Sequence, residues 1–167
     1  MAAEDPPGFV IRAGGPDDDA LIAEHFRQMW RDNGILEDRI CESWRADVLG
    51  FVSFARQSLE YRAFLAELEG EIVGSASCQL FAGLYPNILK AEQRKYGYVW
   101  GVYVQPDCRS RGIATALTRA TLDHLRALAC THALLHASPS GRPVYDALGF
   151  QTTNELRLEL PLQQNEP

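Results

Sequence analysis

Residues 98–104, Tyr-Val-Trp-Gly-Val-Tyr-Val, consist only of aromatic, β-branched and glycine residues, and Pro106 comes two positions later. Such a run fits a half-buried pleated strand, and a proline, which has no N–H to give, ends it. Residues 113–129 then place Ile113, Leu117, Ala120 and Leu128 along one helical face, and residues 132–137 form another apolar run. A strand, a helix and a strand in that order return to one sheet as parallel neighbours through a right-handed crossover. Upstream, residues 61–68 and 72–81 are two β-runs joined through Glu69-Gly70-Glu71, which predicts an antiparallel hairpin. The chain must therefore build a mixed sheet, mostly antiparallel, with one parallel pair.

Capping and periodicity give the remaining elements. Residues 9–13 are a short apolar run stopped by Gly14-Gly15-Pro16, after which Asp17, Asp18 and Asp19 supply an N-cap and negative first-turn charge to a helix ending near Asn33. Ile40, Trp44, Val48, Phe51, Val52 and Ala55 recur at spacings of three and four, predicting a second amphipathic helix over 39–58. Residues 142–148 read as a short helix and 156–160 as a last alternating strand. The expected order is β-α-α-β-β-β-α-β-α-β, an α/β class with helices on the faces of a mixed sheet. With 167 residues, 46% of them hydrophobic, the chain has the size and core of one domain, here 9–160, with flexible ends at 1–8 and 161–167.

Composition narrows the function. No apolar run approaches the roughly 20 residues of a membrane span, and the start, MAAEDPPGF, is acidic where a signal peptide would be basic; the expectation is a cytoplasmic protein without a membrane partner. A net charge of -6 argues against a nucleic-acid partner. Cys41, Cys78, Cys108 and Cys130 lie far apart with no CxxC pair, and read as reduced packing residues. His132 and His136 fall on a strand, where four residues span ~13 Å, so they cannot hold one ion, and no metal is expected. His25 and His124, on predicted helices without partners, read as surface or interface residues.

The chemistry concentrates at Val104-Gln-Pro-Asp-Cys-Arg109-Ser110-Arg111-Gly112-Ile113-Ala114-Thr115. A glycine-bearing loop between a strand and a helix presents unpaired N–H groups at the helix start and binds phosphate. Residues 105–126 hold four arginines and two aspartates, a local +2 in a chain of -6. Neither GxxxxGK[ST] nor GxGxxG is present, which speaks against a nucleoside triphosphate or a dinucleotide.

The pattern R-x-x-G-x-A after a strand ending Val-x-Pro resembles the acetyl-CoA pyrophosphate loop of the GNAT superfamily of N-acetyltransferases. Tyr145-Asp-Ala-Leu-Gly149-Phe150 is similar to that superfamily's YxxxGF signature, and the element order matches over about 9–160. The resemblance implies transfer of an acetyl group from acetyl-CoA to a primary amine of an unidentified acceptor, by direct attack through a tetrahedral intermediate. It also implies pyrophosphate contacts at Arg109, Ser110, Arg111, Gly112, Ile113, Ala114 and Thr115. A bulge at Gly101 would splay strand 98–104 from its neighbour, opening the main chain of Tyr103 and Val104 to pantetheine and an N–H near Val102 to the oxyanion of the tetrahedral intermediate. Tyr145 is implied as general acid to the departing thiolate, and Ser138 stands where many relatives carry a cofactor-contacting asparagine.

A base is also needed, because an amine with a pKa near ~10.4 is ammonium at pH 7. Some relatives carry a glutamate where this chain has Tyr98, which leaves the base unassigned among Glu92, Glu155, Glu37, Asp38 and Glu42. Of the aromatic residues, Trp30, Tyr98 and Trp100 are the acceptor-pocket candidates, with Glu155 beside them; Trp44, Phe81, Tyr85 and Tyr96 are expected mostly in the core. Loss of the acid and base would leave the alternative of a catalytically silent acyl-CoA-binding sensor. Exposed sheet edges and aromatics are compatible with a homodimer.

Overall fold

The computed structural model describes residues 8–83 and 88–160. Tyr85, Pro86 and nearly all of the two expected tails lie outside the described residues. The elements are β1 (Phe9–Gly14), α1 (Asp19–Asp32), α2 (Trp44–Ser58), β2 (Arg62–Leu68), β3 (Glu71–Leu80), β4 (Tyr96–Val104), α3 (Ile113–Ala127), β5 (His132–Leu134) and α4 (Arg142–Ala147). The sheet runs β1-β2-β3-β4-β5. All pairs are antiparallel except β4 with β5, the crossover pair.

Alternation along β2 sorts the core onto two faces. Ala63 and Leu65 pack with Ile22 of α1 and with Val52 and Ala55 of α2, whereas Ala66 packs with Ile113 and Leu117 of α3. Leu125, further along the same face of α3, meets Cys78 and Val99. Burying Ile113, Leu117 and Leu125 contributes roughly 2 kcal/mol each, so α3 is fixed by its apolar face rather than by its ends. At the N-terminal end, the Asp18 carboxylate accepts from the Gly15 N–H (2.9 Å) and from Arg12 (3.0 Å), which turns the chain from β1 into α1.

Strand β4 departs from a regular ladder on both of its sides. Ser77 pairs with Trp100 and Ser75 with Tyr103, so Gly101 and Val102 together face the single residue Ala76: a bulge, with Gly101 at φ +62°. The β4–β5 ladder joins Tyr96 to His132, Gly97 to Ala133 and Tyr98 to Leu134, and goes no further. From Val99 onward the side of β4 that faced β5 is open.

Two strands expected from the sequence are corrected by the fold. The strand expected over 132–137 ends at Leu134. The strand expected over 156–160 is absent among the described residues, and Leu156, Leu158 and Leu160 are at least 80% exposed. Alternation states that a segment could form a strand, but a ladder also needs a partner, and the three-residue β5 edge offers little to pair with. The second helix starts at Trp44, after a separate 3-10 turn at Glu37–Arg39, rather than at Arg39.

Candidate functional site

The open side of β4 lines a groove of about 1280 Å³ bounded by α1, α2, the 108–115 loop and residues 135–145. Single small-ligand pockets are roughly 300–1,000 Å³, so this one has room for two substrates.

One end is built from main chain. Gly112 at φ +81° is the N-cap of α3, and Ser110 is also left-handed, at φ +61°. The first intrahelical bond runs from the Ala116 N–H to the Gly112 carbonyl (3.0 Å). The N–H groups of Ile113, Ala114 and Thr115 are therefore the unpaired donors of the first turn, in a loop that lines the groove. Together with the helix dipole they suit an anion.

Arg109 behaves differently from the expectation that it would simply add charge there. Its Nε donates to the Val104 carbonyl (2.9 Å), another guanidinium nitrogen reaches the Asp32 carboxylate, and the group lies 5.9 Å from the Tyr103 ring centre. It ties the end of β4 to the last turn of α1. Arg111 is exposed and outside the groove lining.

Tyr145 and Ser138 line the same groove. Tyr145 is buried, with its ring edge-on to Phe150 at 5.8 Å, and a Cβ at Gly141 would come within 3.1 Å of that ring. Burial pushes the phenol pKa up, so the hydroxyl is a neutral O–H at pH 7. The Ser138 hydroxyl accepts the Gly141 N–H (3.1 Å) and braces the turn into α4.

The other end is built from side chains. Trp30 and Phe26 of α1, Phe51 of α2 and Trp100 of β4 form an aromatic wall, with Phe26 5.0 Å and Phe51 5.9 Å from the Trp100 ring. The Trp100 indole donates to Gln79. The Tyr98 hydroxyl lies 2.7 Å from Nδ1 of His136, whose Nε2 lies 3.4 Å from the Glu155 carboxylate. Glu155 does not itself line the groove, but it reaches His136, which does. Spacing in the sequence gives His136 no role once metal binding is set aside, and its place beside Tyr98 shows only in the folded chain.

His25 is a further correction. It is buried rather than superficial, with Nδ1 2.9 Å from the Ser75 hydroxyl and its ring 4.9 Å from Tyr103. Burial pushes its pKa down to about 4, so it is neutral beneath the end of β4. His124 bonds the Glu60 carbonyl (3.1 Å). Of the aromatics expected in the core, Trp44 stacks with Arg27 and Arg45, and Phe81 is largely exposed.

A mixed sheet whose crossover strands part beside a helix N-terminus thus gives a groove with one anion-suited end and one aromatic end. The model of the Acetyltransferase (GNAT) family matches residues 21–150, and the chain belongs to that family. It is 31% identical to a mycothiol acetyltransferase of Streptomyces griseus over 165 residues, which cover 92% of this chain and 46% of that protein. The chain thus spans about half the length of the curated relatives it matches. Among solved structures, a GCN5-related N-acetyltransferase from Ralstonia eutropha superposes with a TM-score of 0.77 at 25% identity, covering 92% of this chain and 99% of that one. An acetyltransferase from Clostridium acetobutylicum, solved with acetyl-CoA, gives 0.75 at 26% identity, covering 94% and 98%. Among the described residues no helix is long and apolar enough to cross a membrane, and no group of His, Cys, Asp and Glu is arranged to hold a metal ion.

Proposed function

We propose that the protein transfers the acetyl group of acetyl-CoA to a primary amine carried on a small polar molecule. The observation that carries this is the joint presence, in one groove, of the unpaired first-turn N–H groups of α3, the unladdered edge of β4 and the buried Tyr145 hydroxyl. The donors at Ile113, Ala114 and Thr115 suit the pyrophosphate, with Gly112 allowing the close approach. The main chain of Val102, Tyr103 and Val104 suits the amides of the pantetheine arm. The bulge leaves Gly101 and Val102 out of register with β3, and we assign the Val102 N–H to the oxyanion on that ground.

A neutral amine attacks the thioester carbonyl, and the C–S bond breaks as sulfur takes a proton. Tyr145, a neutral phenol lining the groove, suits the role of donor of that proton. The aromatic wall and the Asp47 carboxylate at the other end of the groove suit a polar organic ammonium.

The test is calorimetric titration with acetyl-CoA, followed by thiol release against deacetylated mycothiol, glucosamine 6-phosphate, a polyamine and a dipeptide. Binding with amine-dependent release is expected. Tyr145→Phe should lower turnover about 100-fold with little change in acetyl-CoA affinity. Absence of acetyl-CoA binding overturns the reading, and binding without release on every amine favours the silent acyl-CoA sensor.

A further inference from the structure

We propose that Tyr98, His136 and Glu155 form a relay that removes the acceptor's ammonium proton, with the Tyr98 oxygen as the atom that receives it. The proposal rests on the acetyl-transfer reading and supplies the base that the sequence leaves unassigned. Tyr98 is the last β4 residue laddered to β5, opposite Leu134, and His136 lies two residues beyond Leu134 on the other arm. Their 2.7 Å contact therefore bridges the two strands where they begin to part, and both residues line the groove.

Donor and acceptor chemistry sets the direction of the relay. A carboxylate only accepts, so the contact to Glu155 places the imidazole hydrogen on Nε2. Nδ1 then carries the lone pair and accepts from the Tyr98 O–H. The lone pairs of the Tyr98 oxygen are left for a proton arriving from the groove. Burial and the nearby Glu155 charge push the phenol pKa up, so Tyr98 passes a proton on rather than resting as phenolate. The Glu155 contact is loose and exposed, and its contribution is to the tautomer rather than to stability.

Every proton has a destination. The ammonium N–H bond breaks and its electron pair stays on nitrogen. The proton joins the Tyr98 oxygen while the Tyr98 proton moves to His136 Nδ1. The His136 side chain is 70% exposed, which opens a route for the proton to water. The second nitrogen proton, lost as the C–S bond breaks, returns to the Tyr145 oxygen and replaces the one that Tyr145 gives to sulfur. The other charged groups facing this part of the groove are Asp47 of α2, which accepts from Ser43, and Arg157, which pairs with Glu159.

The experiment compares wild type with Tyr98→Phe, His136→Ala and Glu155→Gln, using the panel amine that wild type acetylates fastest. It measures kcat/KM from about pH 6 to about one unit above that amine's own pKa, which is about 8 for an α-amine and ~10.4 for an alkylamine. Tyr98→Phe and His136→Ala should each lose about 100-fold at pH 7, and the gap should close as the amine becomes neutral in solution. Added imidazole should restore part of the His136→Ala loss, and acetyl-CoA affinity should stay within about twofold. A loss equal at every pH, or no loss, overturns the relay while leaving the transferase reading intact. A wild type that binds acetyl-CoA but gives no thiol release with any amine of the panel favours the silent acyl-CoA sensor over the transferase reading, and overturns the relay with it. Independently of any acceptor or variant, the long-range nitrogen–proton spectrum of His136 should show the Nε2–H tautomer. The Nδ1–H tautomer overturns the proposal.

Discussion

The two ends of the groove are made of different material. At the α3 end the groups that face the groove are backbone N–H donors, presented by the consecutive residues Ile113, Ala114 and Thr115. At the other end they are side chains from α1, α2, β4, the β5 continuation and Glu155, which are distant in sequence and meet only through the sheet. Backbone donors are indifferent to most substitutions but intolerant of anything that alters the path of the chain. Side-chain walls tolerate changes of path at their edges and change specificity one residue at a time. One end thus depends on the path of the chain and the other on the identity of its side chains.

The sharpest way to break that contrast is Gly112→Glu. The position requires φ +81°, which a side chain adopts only with strain, and the carboxylate would sit among the donors intended for an anion. Acetyl-CoA binding measured by calorimetry should fall by at least about 100-fold. Unchanged affinity would mean that the pyrophosphate is held elsewhere.

The difference in material also explains what could be read from the sequence. The 105–115 loop, the β2–β3 hairpin and the Gly101 bulge depend on residues close together, so spacing and glycine placement reveal them. The Tyr98–His136 contact joins positions 38 apart, and it depends on the register of Tyr98 with Leu134, which no local pattern states. His25 reads as a surface or interface residue because the sequence gives it no partner, and only the docking of α1 on β4 shows that it sits over Ser75 and Tyr103. Leu156, Leu158 and Leu160 mislead in the opposite direction, since a strong local alternation there has no sheet partner. The family resemblance implies a pyrophosphate contact for Arg109, and no local pattern states that its guanidinium bonds Val104 and Asp32 in the fold.

His25 lies at the joint between the two ends, and acid tests that joint. Its folded pKa of about 4 lies below the ordinary value of 6.5, so between those values the unfolded chain binds a proton that the folded chain does not. The stability contribution is complete above about pH 6.5 and is lost as pH falls toward 4, by about 3 kcal/mol. Urea melts across that range should show the loss in wild type, and His25→Asn should flatten the slope. A slope that survives His25→Asn would place the acid-sensitive group elsewhere.

The smallest expected effect separates the two roles open to Arg109. If the guanidinium were chiefly a phosphate ligand, removing Asp32 would free it and tighten acetyl-CoA binding, most visibly at low salt. As a brace, it holds the Val104 carbonyl through Nε whether or not Asp32 is charged, and the pair with Asp32 is half exposed and contributes little by itself. Asp32→Asn should therefore leave acetyl-CoA affinity within about threefold of wild type. Arg109→Ala removes both contacts, loosens the end of β4 beside the unpaired donors of α3, and should cost about tenfold. Calorimetry on the two variants at two salt concentrations decides between the roles. Tightening in Asp32→Asn would make Arg109 a ligand, and the α3 end would then owe part of its grip to a side chain after all.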